Sequence, residues 1–341
     1  MKIIHILNTN TFSGAENVAI TIINQMKNDN DIIYVSLDGP ISEYLEENNI
    51  TFEPIKKISI SELKRVIKKY NPDIIHAHDF TASIISAFVC GKRKLISHIH
   101  NNVKWLRKVN VYSLLYLISS IKYNKILLVS ESIIKEYIFR KFIKKKVKVI
   151  GNPIDIDKII KKANEFDEKE NYDIIFLGRF SKEKNPTKFI SIIKEISKDI
   201  SIKAIMIGDG ELRAECKKLI KQYNMENLIE IKDFQKNPYP ILKKAKILCM
   251  TSEWEGYGLV AIEALSLSKP VVATDVGGIP SIVTNDCGII TKDTNNMKNE
   301  IKKLLNDSKY YDEKSKNALK RAKRLNNIDT YISNLIGVYD N

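Results

Sequence analysis

Four cysteines in 341 residues, Cys90, Cys216, Cys249 and Cys287, are too scattered to staple a fold together. None belongs to a C-x-x-C pair or stands at metal spacing from a histidine, so they read as reduced thiols of a cytosolic protein. Long apolar runs are also missing: a stretch such as LLYLISSI (114–121) is too short to cross a bilayer. Met1 leads directly into KIIHIL, a strand pattern rather than a leader peptide, so the expected location is cytoplasmic. No G-x-G-x-x-G follows that first strand, which argues against a dinucleotide-binding fold of the dehydrogenase type. Solenoid repeats and low-complexity tracts are absent too. With 44% hydrophobic and 28% charged residues, the composition excludes a disordered or fibrous chain.

What is present in excess is positive charge, a formal +14. Its lysines are spread over amphipathic patterns and no DNA- or RNA-binding signature accompanies them, so nucleic acid is not the expected partner. An anionic membrane surface or a phosphorylated substrate remains compatible with the charge.

Short apolar, β-branched runs alternate with helical patterns throughout. Strands are expected at 2–7, 32–37, 73–77, 94–99, 125–130 and 147–150, then at 173–177, 202–207, 228–232, 246–250 and 270–274. Helical stretches include 15–28, 60–70, 131–142, 186–198, 211–223 and 259–267, with two more over about 309–338 broken at Asn326-Asn327. This alternation predicts α/β architecture with parallel sheets covered on both faces. The turn GNPID (151–155) and the polar segment after it divide the chain into two doubly wound domains, 1–155 and 156–325.

Several loops carry chemistry. SEWEGYGLVAIEA (252–264) places Glu255 before a helix and Glu263 a turn or more inside it, with a Gly-rich turn between. Such a turn leaves backbone N–H groups free for an anion, and flanking carboxylates suit a ligand bearing both phosphates and hydroxyls. GRFSKEKNP (178–186) puts Arg179 and Lys184 at the carboxyl end of a strand, where two cations can neutralise a diphosphate or simply form a solvated loop. TNTFSGAENVA (9–19) is either a phosphate-facing helix start or a tight turn capped by Ser13. GDGELR (208–213) and VGGIP (276–280) are Gly turns, of binding or purely structural kind.

His76 and His78 share one strand face, as do His98 and His100. No acidic or cysteine ligand recurs at useful spacing, so hydrogen-bonded neutral imidazoles are expected, with His100 at a strand end as the functional exception. Residues 102–124, with Trp105, Lys104, Arg107 and Lys108, read as a core helix with a basic exposed end or as a membrane- or acceptor-docking element.

Taken in order, SGAENVA, DIIHAH, HIHN, GNPID, GRFSKEKNP, GDGELR and SEWEGYGLVAIEALSLSKPVVATDVGGIP resemble the retaining glycosyltransferases of family 4, over nearly the whole chain. The resemblance implies a GT-B fold, two Rossmann-like domains facing a central cleft, with the acceptor on the first domain and the nucleotide sugar on the second. A C-terminal helix at about 326–341 would pack back on the first domain. It implies that Glu255 contacts donor-sugar hydroxyls and Glu263 the ribose, and that the backbone at Tyr257, Gly258 and Leu259 holds the phosphates. Arg179 and Lys184 would stabilise the leaving diphosphate, Gly14 would approach the phosphates, and His100, His78 and Asn152 would line the site; Gly208, from the residues alone, permits close backbone approach to a ligand.

The implied reaction moves a hexose or N-acetylhexosamine from a nucleotide-diphosphate sugar, with UDP the expected nucleotide, to a hydroxyl acceptor in surface polysaccharide, capsule or lipid-linked glycan assembly. No metal or cofactor is expected, and a peripheral contact with the membrane face is compatible. A non-catalytic GT-B-like partner subunit and a sugar-nucleotide epimerase are the alternatives. Two positions depart from the family: Ser281 stands where Glu is usual after GGIP, and Ser268 replaces a common Gly before Lys269-Pro270.

Overall fold

A computed structural model describes residues 1–340. Asn341, the last residue of the expected C-terminal helix, lies outside the described residues. The chain forms two compact units, Met1–Pro153 with the segment from Ile328 onward, and Ile154–Asn327.

The first unit is built on β1 (Lys2–Ile6), β2 (Asp31–Leu37), β3 (Thr51–Ile55), β4 (Ile74–Ala77), β5 (Lys94–Ile99), β6 (Lys125–Leu128) and β7 (Val147–Val149). They form one sheet in the order β3-β2-β1-β4-β5-β6-β7, and every pairing is parallel. Ile3, Ile4 and Ile6 are fully buried, as expected of a strand covered on both faces. The helix Gly14–Met26 returns the chain from β1 to β2 and buries Val18, Ala19, Ile22 and Ile23. The final helix, Ile328–Asp340, belongs to this unit. Tyr339 buries its ring there, its carbonyl accepts from Lys94 Nζ at 2.5 Å, and Lys148 Nζ donates to Asn334 Oδ1 at 3.1 Å.

The second unit contains β8 (Tyr172–Leu177), β9 (Ala204–Ile207), β10 (Ile229–Lys232), β11 (Ala245–Met250), β12 (Val271–Ala273) and β13 (Gly288–Ile290), all parallel, in the order β10-β9-β8-β11-β12-β13. Side chains alternate along each strand. Ile175, Ile205, Leu248 and Val271 therefore pack with Ala261, Ile262 and Leu265 of the helix Leu259–Ser266 on one face. On the other, Ile174, Phe176, Met206, Ile247 and Val272 meet Phe189, Ile190 and Ile193 of the helix Pro186–Ile196.

Four features differ from the sequence expectation. β3 and β13 were not foreseen: one contains Pro54, which cannot donate to a ladder, and the other opens on Gly288 and offers only Ile289 and Ile290 as an apolar run. Both are edge strands, where such defects are tolerated. The expected helix 131–142 is two short helices, Glu131–Glu136 and Arg140–Ile143, because Tyr137 adopts extended backbone at the first helix's end. The polar segment after GNPID opens with a helix, Ile156–Lys162, whose Ile156 and Ile159 are buried and whose first turn Asp155 caps through Lys158 N at 2.9 Å.

Candidate active site

In each sheet the strand order reverses between two adjacent strands, β1 and β4 in the first and β8 and β11 in the second. Loops leaving the carboxyl ends of such a pair part to opposite faces and open a crevice for a ligand. GRFSKEKNP follows β8 and SEWEGYG follows β11, so the two most charged candidate motifs lie side by side.

Polar bonds lace these loops together. Thr251 Oγ1 donates to the carbonyls of Lys184 and Asn185 at 3.1 and 2.8 Å, and Glu253 N donates to Glu183 O at 2.8 Å. Asn185, in left-handed backbone, caps the helix Pro186–Ile196 through Lys188 N and donates to Glu253 Oε1 at 2.7 Å. Lys184 Nζ reaches Glu255 Oε1 at 2.5 Å, and Ser252 Oγ donates to the same oxygen at 2.9 Å. Glu255 is 7% exposed, so its carboxylate depends on these two donors. Among the described residues nothing donates to its Oε2.

The VGGIP loop holds this arrangement from behind. A Cβ at Gly277, φ +58°, would lie 1.7 Å from the Glu255 carbonyl oxygen, and one at Gly278 would lie 2.8 Å from that of Gly256. Only glycine allows the two backbones this close. Gly258, φ +97°, then opens the helix Leu259–Ser266 without a side-chain cap, which leaves the amides of its first turn open to an anion. Tyr257 and Leu259 flank it, both half-buried. Glu263 lies further along this helix and takes a hydrogen bond from Tyr239 OH at 3.1 Å. Burial pushes its carboxyl up to about 7, while Tyr239, Lys162 and Lys184 pull the other way.

The remaining candidates of this unit behave differently. Arg179 is exposed and forms no ion pair among the described residues. Partial burial pushes the nearby Glu183 carboxyl up, but hydrogen bonding and the charges of Arg179 and Lys184 take it below the usual range. Gly208 has a packing reason for its identity: a Cβ there would lie 2.0 Å from the Gly178 carbonyl oxygen. Ser268 has φ +62°, and the bonds Ser268 N to Leu265 O and Lys269 N to Ala264 O, at 3.0 and 2.9 Å, make a Schellman end to the helix. That geometry explains why glycine is the usual residue there. A cavity of about 310 Å³ lined by Lys243, Lys244, Lys246 and Lys269 sits at the opposite, amino ends of β8 and β11, away from all of these groups.

In the first unit Gly14 opens the helix Gly14–Met26 after β1. Of the two readings of this loop, the one with a Ser13 side-chain cap is not what the structure shows. Ser13 Oγ donates to the buried carboxylate of Glu16 instead, as does Thr9 Oγ1, and no side chain caps the first amides. Asn152 is buried in the turn after β7, beside Gly151 in left-handed backbone.

All five histidines of the chain lie together. His5 and His76 are register partners, and counting along β4 and β5 in steps of two puts His78, His98 and His100 on the same face. His5 Nδ1 and His78 Nε2 are 2.8 Å apart, and His78 Nδ1 and His100 Nε2 are 3.0 Å apart. A second chain runs from Tyr339 OH to His76 Nδ1 at 2.5 Å and from His76 Nε2 to His98 Nδ1 at 3.1 Å. Burial lowers every one of these imidazoles, His5 and His100 to about 3 and the other three well below the ordinary value.

Sequence reasoning missed Ser252, Tyr239, Glu16 and His5. His5 carried a signal, the same alternation that groups the other histidines. Tyr239 carried none, because its bond to Glu263 spans two separate elements.

The comparisons follow this geometry. The model for glycosyl transferases group 1 matches residues 155–321, and that for Glycosyltransferase Family 4 matches 12–158. An uncharacterized glycosyltransferase of Methanocaldococcus jannaschii is 30% identical over 63% of this chain, a match spanning 58% of that protein. The Campylobacter jejuni enzyme named GalNAc-alpha-(1->4)-GalNAc-alpha-(1->3)-diNAcBac-PP-undecaprenol alpha-1,4-N-acetyl-D-galactosaminyltransferase is 26% identical over 95% of this chain and 94% of its own. Among solved structures, Anabaena HepE in complex with UDP and glucose superposes with a TM-score of 0.87 at 20% identity, covering 100% of this chain and 99% of that one. The chain has the GT-B fold and belongs to the group 1 glycosyltransferases of family 4.

Proposed function

We propose that this enzyme transfers a hexose or N-acetylhexosamine from a UDP-sugar to a hydroxyl of a polysaccharide or lipid-linked glycan, with retention of anomeric configuration. The observation that carries the reading is the Lys184–Glu255 pair at the mouth of an uncapped helix. The named acceptor of the Campylobacter relative and the UDP bound by the Anabaena neighbour support the substrate class.

In this reading the diphosphate lies on the amides at Gly258 and Leu259. Lys184 turns from Glu255 to a phosphate oxygen, joined by Arg179, and the freed Glu255 accepts from a donor-sugar hydroxyl. Glu263 accepts from the ribose. As the bond from the anomeric carbon to the phosphate oxygen breaks, the two cations meet the charge that develops on the leaving group. The acceptor oxygen bonds to that carbon from the same face and its proton passes to the departing phosphate. No protein nucleophile is assigned.

Contact with an anionic lipid surface is part of the proposal. Val111, Leu114 and Ile118 are exposed on one face of the helix Val111–Ser119, while Tyr116 on the other is buried. Lys146 Nζ donates to the carbonyls of Ser120 and Ile121 at 2.8 and 2.9 Å, which ties the end of this helix to the segment that carries exposed Phe142, Lys144 and Lys145. An apolar face edged with lysines matches a leaflet of anionic lipids. No described helix is long and apolar enough to cross a membrane.

A thermal-shift panel of nucleotides and nucleotide sugars tests the reading. UDP and one UDP-sugar are expected to stabilise the protein in proportion to the logarithm of their concentration. No response to any nucleotide sugar would sink it, and conversion of the donor to an isomer without acceptor would point to an epimerase.

A further inference from the structure

The helix Ser308–Leu325 belongs to the second unit and packs against the helix Leu259–Ser266. Its Ala318 and Ala322 are fully buried in one cluster with Ala261 and Leu265. Two of its polar side chains grip backbone carbonyls of neighbouring loops. Ser315 Oγ donates to Ser268 O at 2.7 Å, just past the end of the helix Leu259–Ser266. Arg321 Nε donates to Ile282 O at 2.8 Å, and its Nη2 donates to Ser281 O. A guanidinium holds these donors in a rigid planar fork, so one side chain pins two consecutive peptide units.

The pinned carbonyls end the VGGIP segment, and that segment shapes the start of the helix Leu259–Ser266. Ile279 and Ile282, both fully buried, face Gly258, where a Cβ would lie 3.2 Å from Ile279 Cγ1 and 3.6 Å from Ile282 Cδ1. Gly277 and Gly278 abut the carbonyls of Glu255 and Gly256. Within the segment, Ser281 Oγ donates to Gly278 O at 2.7 Å, and the backbone amides of Ile279, Ser281, Ile282 and Val283 bond to carbonyls of the same stretch. Among the described residues no backbone hydrogen bond joins 276–283 to 251–258. Packing and side-chain bonds such as those of Arg321 therefore hold the two together.

We infer that Arg321 is a positioning residue for the donor diphosphate: by fixing the carbonyls of Ser281 and Ile282 it seats the VGGIP segment against Glu255–Gly258 and aims the first-turn amides of the helix Leu259–Ser266. The inference rests on the reading in which those amides hold the diphosphate. Hydrogen bonds from amides to an anion weaken steeply once the N–H···O angle falls below about 120°, so a small rotation of this turn matters. Arg321 is half-buried and forms no ion pair among the described residues. Burial pushes the Tyr257 phenol up, and the Arg321 charge pulls it the other way, as expected of a cation close behind the same turn.

Arg321→Met and Arg321→Lys test this in the full chain. Arg321→Met should weaken UDP binding about tenfold in calorimetric titrations, while uridine, followed by ligand NMR, binds both proteins equally. Equal UDP affinity in Arg321→Met and wild type would overturn the inference. So would an equal loss of UDP and uridine affinity, which is what a general loosening of the unit produces. Hydrogen exchange of the ligand-free proteins gives a second reading. Amides 259–263 should exchange faster in Arg321→Met with β8 and β9 unchanged, and Arg321→Lys, which keeps the charge and can make one bond, should fall between. Unchanged exchange there would show that the guanidinium acts through its charge alone and would refute positioning. If Arg321→Met does not fold, Arg321→Lys carries both comparisons. If wild type binds no UDP, the reading of the site falls, and exchange still decides whether Arg321 places the start of the helix.

Discussion

Lys184 and Glu255 neutralise each other across 2.5 Å, so the cation assigned to the phosphates and the carboxylate assigned to the sugar occupy one another until a ligand separates them. In the proposed reading two separate functional demands fall on a single ion pair, with Ser252 as its third member.

Removing one partner should therefore cost stability as well as activity. Lys184→Met leaves Glu255 nearly buried with one hydrogen-bond donor, a loss of about 1–3 kcal/mol. Adding Glu255→Gln should return much of that loss while turnover stays low. A double-mutant cycle by urea unfolding checks the coupling, and additive costs would show that the pair is not energetically linked.

Arg179 makes no ion pair among the described residues, so its replacement should separate activity from stability. Arg179→Ala is expected to lower kcat on the order of 100-fold and to shift the unfolding midpoint hardly at all. Unchanged turnover would remove Arg179 from the leaving-group site.

Glu263 should give UDP binding a pH dependence. Its carboxyl is held up to about 7, chiefly by burial, and only the charged form accepts from both ribose hydroxyls. Affinity should rise as pH climbs through 7 and level off above it. The phosphate of the nucleotide titrates nearby, so the measurement is the difference between wild type and Glu263→Gln in calorimetric titrations. Identical pH profiles for the two would contradict the ribose assignment.

Acid should weaken the first unit before general acid denaturation. Its five imidazoles stay neutral in the fold, His5 and His100 down to about 3, but each takes a proton near pH 6.5 once unfolded. Depressed folded values give stability that is complete above 6.5 and lost progressively as pH falls below it. Asp79, raised to about 6 by burial, acts the other way, since the fold keeps a proton that the unfolded chain releases near pH 4. Five groups outweigh one. With Trp254→Phe leaving Trp105 as reporter of this unit, the urea midpoint should be lower at pH 5 than at pH 7.

Lipid contact has its own test. Ile118→Asp with Ile121→Asp removes two exposed side chains worth about 1.5–3 kcal/mol each if they enter a membrane. Co-sedimentation with phosphatidylglycerol vesicles should fall at least tenfold, with turnover on a water-soluble acceptor retained. Equal binding of both proteins would exclude this patch.

How much of this was legible in the chain follows from what each element depends on. Strands such as DIIFL and KILCM announce themselves, because burial on both faces demands continuous apolar residues. β3 and β13 did not, since edge strands tolerate Pro54 in one and a run of only two apolar residues after Gly288 in the other. The residues of the β8 and β11 loops could be named from their motifs, yet their pairing could not, because Lys184 and Glu255 meet only through the parallel pairing of two strands distant in sequence. The histidine chain shows the same limit: alternation grouped the rings within each strand, but the link from His76 to Tyr339 spans 263 positions.

The central claim, donor transfer at the Lys184–Glu255 site, is tested most directly by following one reaction to its product. A UDP-sugar chosen by the nucleotide-sugar panel is incubated with a lipid-linked or polysaccharide hydroxyl acceptor, and UDP release and the new anomeric signal are read together. The prediction is one UDP released per glycoside formed, an α linkage from an α-linked donor, and loss of both signals in Glu255→Gln. A β linkage, or undiminished transfer by Glu255→Gln, would contradict the account.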